Sequence, residues 1–191
     1  MSSFKRGFTL LTVAALSTAL LSGCTQQRAN SSFDREQMYA SAIEMREDSD
    51  LVAVGTVTQI REAQDIEGSD TIITISDVDL KGVMKEDVKV DSKMGDVIEV
   101  RQFGSKESGS AAPPVTLLEP GKTYLLFLTS SGLGGELASQ YYVTGASAGL
   151  YEPRQDVARS GQPDLLSMEF KQVDPTEEEP ALITVVPKDI S

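Results

Sequence analysis

The chain contains no histidine, no tryptophan and a single cysteine among 191 residues. Without histidine it lacks the commonest general base and the commonest neutral metal ligand. One cysteine permits neither an intramolecular disulfide nor a thiolate zinc site. The fold must therefore be held by its core alone. Basic residues are also few: 17 Lys and Arg stand against 29 Asp and Glu, a formal net charge of −12. Such a surface repels phosphate backbones and anionic headgroups, which argues against nucleic acid as a partner. Solubility is the plain explanation of the charge; attraction to cations or basic partners is the sharper one. Hydrophobic residues make up 40%, enough for a core,.

What is present at the N-terminus is an address. Lys5 and Arg6 precede an apolar run from Phe8 to Leu21, broken only by Thr9, Thr12, Ser17 and Thr18. The run is shorter than the ~20 residues a spanning helix needs. It fits the apolar region of a signal peptide, with small residues at its end. The polar sequence after Cys24 argues against a transmembrane anchor.

Leu21-Ser22-Gly23-Cys24 closes this run. At all four positions it resembles the lipobox of bacterial lipoprotein precursors. The resemblance implies cleavage between Gly23 and Cys24, a diacylglycerol thioether on Cys24 and often an acyl chain, such as palmitate, on the new amine. Two or three chains anchor firmly where one binds only marginally. The expected organisation is a signal peptide over 1–23, a tether over 24–32, a domain over 33–174 and an acidic, partly mobile tail over 175–191. Loss of Lys5 and Arg6 with the leader leaves 15 basic against 29 acidic residues, a net charge of −14. The expected location is the cell membrane, lipid-anchored and facing outside the cytoplasm. In a species with an outer membrane, the non-acidic Thr25 resembles the pattern of lipoproteins sent outward.

Beyond the tether, Met38, Ala42 and Met45, with Tyr39 and Ile43, form a helical stripe that predicts a helix over 33–47. Ser31-x-x-Asp34 is a possible cap for it. The rest reads as strands. Leu51–Ile60 is β-branched, with Gly55 marking a bulge or close backbone approach. Arg61–Asp70 reads as a hairpin connection turning at Gly68. Thr71–Leu80 places Ile73 and Ile75 on one face and Val78 and Leu80 on the other, the mark of a bulge or bend. Lys81-Gly82 reads as a turn and Val88-Lys89-Val90 as a short strand. In Asp96–Phe103, Ile98 and Val100 point inward, Glu99 and Arg101 outward. Ser105–Pro114 is a loop by composition. Pro120-Gly121 is a turn before Tyr124–Leu128, the most apolar run after the leader and a central buried strand. Ser130–Gly135 is a glycine-rich turn. Tyr141–Val143 and Gly149–Tyr151 are strands, and Arg154–Pro163 is a loop. Leu166, Met168 and Phe170 alternate as a strand would. Ala181–Val186 reads as an edge strand.

These elements predict a mainly β fold: a small OB-like β-barrel with one N-terminal helix, preceded by a signal-peptide helix. The segment order resembles the OB-like barrel of tissue inhibitors of metalloproteinases and netrin-type modules. The resemblance rests on Asp50-Leu51-Val52 with Gly55-Thr56-Val57, on Val78–Gly82, and on Pro120-Gly121 with Tyr124–Leu128. Similar strings occur in uncharacterised surface proteins of Gram-positive-type bacteria. Inhibition does not carry over, because those inhibitors use the free amine of a disulfide-bonded N-terminal cysteine. Here Cys24 would be lipidated, and there is no second cysteine.

No catalytic constellation emerges. Without histidine only a Ser-Lys pair remains, and Ser92-Lys93 and Ser105-Lys106 have the wrong spacing. Gly145-Ala146-Ser147-Ala148-Gly149 has the spacing of a nucleophile elbow but lacks the later histidine; a small-residue turn is its better reading. Asp77 and Asp79 share a strand face and could meet a cation. Asp65–Asp70 fails the calcium-loop pattern at its glycine and last acid. Arg101 and Gln102 could contact a glycan or peptide. The expectation is a non-enzymatic binding or interaction module whose partner is a protein or glycan. A lipid-anchored carboxylate hydrolase acting on envelope glycans, or a loop-presenting protease inhibitor, is the alternative. Cys24, as the lipidation site, is the one functional residue assigned; no catalytic residue, cofactor or metal ligand is.

Overall fold

The computed structural model describes residues 37–87, 92–105, 115–154, 164–176 and 178–191. The signal-peptide and lipobox residues, the tether, the expected cap at Ser31, the strand at Val88–Val90 and the loop residues 106–114 and 155–163 lie outside the described residues. No described helix is long and apolar enough to cross a membrane.

Among the described residues eight strands form one sheet: β1 (Leu51–Gln64), β2 (Ile72–Glu86), β3 (Val97–Phe103), β4 (Thr123–Ser130), β5 (Gln140–Val143), β6 (Leu150–Pro153), β7 (Phe170–Gln172) and β8 (Thr184–Val185). Their order is β1-β2-β3-β5-β4-β6-β7-β8, and β1 also pairs with β4. That extra pairing closes β1-β2-β3-β5-β4 into a five-stranded OB-like barrel, with β3 and β5 parallel and the other neighbours antiparallel. β4 is central, as its sequence predicts: Tyr124–Leu128 are all buried, and β4 pairs with β1, β5 and β6.

Closing so small a barrel requires strongly bent strands, and bulges supply the bend. The β1–β2 register shifts at Val52/Ala53, Val54/Gly55 and Val57/Gln59. Gly55 sits against β2 so closely that a Cβ there would lie 2.4 Å from Val78 Cγ1. The expected turn at Lys81-Gly82 does not occur. β2 runs through it to Glu86, because the pairing with β1 absorbs the bend in two register shifts. The expected connection over 61–70 is likewise shorter: β1 continues to Gln64, and Gly68 turns the chain at φ +83°.

Among the described residues, buried hydrophobic side chains gather in two clusters. Inside the barrel, Leu51, Ala53, Val57, Val78, Leu80, Val100, Leu126, Leu128 and Tyr141 pack together. Alternation sends Val52, Val54, Leu125 and Phe127 to the outer face, where Tyr39, Met45, Phe170, Leu182, Val185 and Ile190 cover them,. The C-terminal segment, expected as a tail, thus contributes Leu182, Val185 and Ile190 to a buried cluster, and Thr184–Val185 pairs with β7 as the edge strand. Glu179, within the expected tail, is buried and accepts a hydrogen bond from the Tyr39 N–H.

The helix is α1 (Ala42–Asp48), shorter than the predicted 33–47 span. Ser41 sets its start: the hydroxyl accepts from the Glu44 N–H at 3.2 Å, and the Glu44 carboxylate accepts from the Ala40 N–H at 2.7 Å. This is a capping box displaced by one residue at its return bond. Tyr39, Ala42 and Met45 are buried as the stripe predicts, whereas Met38 and Ile43 are exposed. Lys85 closes the other end, donating to the carbonyls of Arg46 and Glu47 at 2.8 and 2.9 Å,. The strand read through Leu166 and Met168 is a 3-10 turn at Leu165–Ser167, capped by Asp164, and pairing starts only at Phe170.

Candidate binding site on the outer face of the barrel

Register brings four strands into line on one outer face. Arg61, Ile75, Arg101 and Tyr142 form one row; Gln59, Asp77, Glu99 and Gln140 form the next. Sequence alternation correctly sends Glu99 and Arg101 outward. It does not foresee that Arg101 is fully buried there, with a side-chain exposure of 0%. The β1–β2 connection supplies the cover. Arg101 Nη2 donates to the Asp65 carbonyl and, at 2.8 Å, to its carboxylate. Nη1 donates to Gln140 Oε1, and Nε donates to the Tyr142 hydroxyl at 3.2 Å. A buried guanidinium is tolerable only when so paired.

The second row is a charge ladder. Arg61 donates to Asp77 at 2.8 Å and to Glu99, and Glu99 also accepts from the Gln140 amide. Burial pushes the Glu99 carboxyl up. The hydrogen bonds from Gln140 and Arg61 and the charges of Arg61 and Arg101 outweigh burial and hold it below its ordinary value,. A general acid needs the opposite shift.

Above the first row lies a cleft of about 190 Å³, lined by Arg101, Gln102, Phe103, Val115, Tyr142, Val143 and Ala146. The Phe103 and Tyr142 rings are nearly parallel, 12° apart with centroids at 5.8 Å, and the Arg101 guanidinium carbon sits 5.7 Å from the Tyr142 centroid,. Of the two residues singled out by sequence for a glycan or peptide, both line this cleft. Gln102 also has a structural duty: its amide bridges the Thr116 carbonyl and the Leu118 N–H. Asp65, Phe103, Gln140 and Tyr142 were not foreseen. Tyr142 carried a legible signal, since in Tyr141-Tyr142 one ring must face the core and the other must not.

The other sequence candidates disperse. Asp77 pairs with Arg61 and Asp79 with Lys81, so the two carboxylates do not combine. Among the described residues no cluster of three or more His, Cys, Asp or Glu could hold a metal. Gly145–Gly149 is a turn between β5 and β6, with Gly145 and Ala146 at φ +62° and +61°. Its neighbour Thr144 links the Ser49 and Thr129 hydroxyls at 3.0 and 2.9 Å, a structural tie between elements. At the start of the Ser105–Pro114 loop, the segment that the inhibitor alternative would present, Ser105 is buried and its hydroxyl donates to Glu62; residues 106–114 are outside the described residues, as is Cys24.

The fold and site define an OB-like barrel with a lined cleft on an outer face. Compared with protein-family models and with curated proteins, the chain matches none.

Proposed function

We propose that this protein is a bacterial-type lipoprotein, held in the cell membrane by lipid on Cys24, whose barrel serves outside the cytoplasm as a non-enzymatic binding or interaction module for a protein or glycan. The anchor rests on Leu21-Ser22-Gly23-Cys24 and the apolar run before it. The binding reading is carried by one observation: a buried arginine, held by Asp65, Gln140 and Tyr142, lines a cleft with two near-parallel aromatic rings. Pre-formed clefts with mostly apolar walls and a few fixed polar groups are what binding sites consist of. The charge of −12 disfavours nucleic acid there,. A carboxylate hydrolase ranks lower, because Glu99 is held ionised and Asp77 is committed to Arg61. The likeness to metalloproteinase inhibitors is proposed for the barrel and not for the activity.

Two experiments test this. Cys24→Ala should abolish metabolic labelling with a fatty-acid analogue and block lipoprotein-type processing; unchanged labelling would sink the anchor. Cross-linking the full-length protein in intact cell envelope, followed by mass spectrometry, should recover a protein or glycan that Tyr142→Ala loses; recovery of the same set by both would sink the binding reading.

A further inference from the structure

The cleft beside Tyr142 has polar side chains in its wall but none to spare. Arg101 has 0% side-chain exposure, and its Nε, Nη1 and Nη2 are engaged by Tyr142, Gln140 and Asp65. Gln102 is buried, with its amide nitrogen on the Thr116 carbonyl and its amide oxygen on the Leu118 N–H. The Tyr142 hydroxyl accepts from Arg101 and reaches Asp65 at 3.5 Å. What the wall offers an occupant is carbon: the half-buried Phe103, Tyr142 and Ala146 and the buried Val115 and Val143. A polar ligand would exchange its hydrogen bonds with water for none from these side chains. An apolar group gives up no such bonds and gains burial. At about 190 Å³ the cleft lies below the ~300 Å³ at which small-molecule sites begin,. It has room for one large side chain, the kind of anchor on which protein interfaces concentrate their binding energy.

One group beside the cleft is not spent. Asp65 bonds Arg101 and Tyr142, both wall residues, through Oδ1. Its Oδ2 has no partner among the described residues, and the side chain is 22% exposed. Asp65 lies outside the wall, so it does not select the group that enters; it meets what flanks that group. The rest of its connection, residues 66–71, adds Glu67 and Asp70 and no basic residue. Of the two arginines on this face, Arg61 is committed to Asp77 and Glu99, and Arg101 is buried. A segment carrying a cation next to its apolar anchor is therefore favoured at this rim, and an acidic segment is repelled.

We propose that the cleft seats one aromatic or large aliphatic side chain of a partner protein, from a segment in which a neighbouring lysine or arginine pairs with Asp65 Oδ2. This assignment rests on the binding-module reading above and chooses protein over glycan as its ligand class.

The test uses the full-length chain in phosphatidylcholine nanodiscs, with empty nanodiscs as the blank. The probe is a short peptide carrying para-fluorophenylalanine between lysines, followed by fluorine NMR. Its fluorine line should shift or broaden saturably, and an unlabelled peptide with alanine at the anchor should not compete. The same probe with glutamates in place of the lysines should bind about twofold to fivefold more weakly, the range of one exposed ion pair. Added salt should narrow that difference, and Asp65→Asn should remove most of it. Tyr142→Ala should weaken binding about tenfold or more, as loss of an anchor contact does. Tyr142→Phe keeps the ring and should weaken it far less; matching thermal melts confirm that the variants fold. No saturable binding up to about 10 mM overturns the assignment. So does equal affinity for the lysine and glutamate probes, or binding that Tyr142→Ala leaves unchanged. If the probe fails while cross-linking in the cell envelope recovers a glycan that depends on Tyr142, this assignment falls and the binding module stands.

Discussion

The main-chain N–H of Tyr39 donates to the Glu179 carboxylate at 2.7 Å, joining residues 140 positions apart. Both groups are buried, and around them Leu182 and Ile190 pack on Met45 and Val54. Removing the acceptor strands a buried N–H, which costs about 1–3 kcal/mol. Glu179→Ala should therefore lower the urea midpoint with an unchanged slope, while Glu179→Gln, which keeps an acceptor, should lower it less. Equal stability of Glu179→Ala and the parent would show that this hydrogen bond contributes nothing to the fold.

Gly55 offers a test of how tightly β1 meets β2. Its φ is not in the left-handed region, so Gly55→Ala would ordinarily gain about 0.4–1 kcal/mol by restricting the unfolded chain,. The added Cβ would, however, fall 2.4 Å from Val78 Cγ1 and 3.2 Å from the Asp79 carbonyl oxygen. Overpacking of this kind costs about 1–3 kcal/mol and should win. Gly55→Ala is expected to destabilise the barrel, and Val78→Ala in the same chain should give back part of the loss. A stabilised Gly55→Ala would show that β2 yields freely at this point.

Local patterns read well where the cause was local. Tyr124–Leu128 is apolar at every position because β4 is covered on both faces. The opposite parity of Ile73 and Val78 has the same cause and not the bulge expected there: β2 pairs with β3 without a register shift from Ile73 to Asp79, and both residues are buried on opposite faces, while the bulge at Thr58 belongs to β1. Lys81-Gly82 misled because a turn-like pair was overridden by pairing with Val54 and Gly55, which no local rule reports. Arg101 misled differently. Alternation gives the face of a strand but not the depth of a side chain, and Arg101 is buried by Asp65 from the β1–β2 connection. The cleft was illegible for the same reason: Phe103 and Tyr142 meet only because β3 runs parallel to β5, a pairing between segments nearly 40 positions apart.

The Glu99 carboxyl sets an acid limit. Burial alone would raise it, but Gln140, Arg61 and Arg101 together hold it lower in the fold than in the unfolded chain. A depressed acid contributes stability above its unfolded value and loses it as pH falls through the lower folded value. Stability should thus decline below about pH 4.5, the ordinary value for such a carboxyl. Glu99→Gln should flatten part of that decline in urea titrations run from pH 7 to pH 3. An identical acid limb in both proteins would rule the ladder out as a contributor.

Tyrosines set the alkaline limit with the opposite sign. Burial raises the Tyr124 phenol from 10.0 to about 12 and also raises Tyr141. Tyr39 rises by burial, reinforced by its bond to Asp48. Each is favoured neutral in the fold, so its contribution is complete below about pH 10 and is lost as pH climbs toward the folded value. Absorbance at 295 nm should show these tyrosines ionising late, together with unfolding. Early ionisation of Tyr39, Tyr124 and Tyr141 in a folded chain would contradict their burial.

Arg101→Lys isolates what the guanidinium does. Lysine keeps the positive charge and most of the length but has three donors on one atom in place of a planar fork. It cannot serve Asp65, Gln140 and Tyr142 in the directions Arg101 now does. Breaking a buried charged network costs about 3–5 kcal/mol when one partner is removed outright, so the lysine variant should lose a substantial fraction of that. Arg101→Met, which removes the charge and leaves Asp65 able to reach solvent at 22% side-chain exposure, should be no worse than Arg101→Lys. Hydrogen exchange should rise first in the β1–β2 connection that Arg101 holds through Asp65. If Arg101→Lys matches the parent in stability and exchange, charge alone holds that connection and the fork geometry is dispensable.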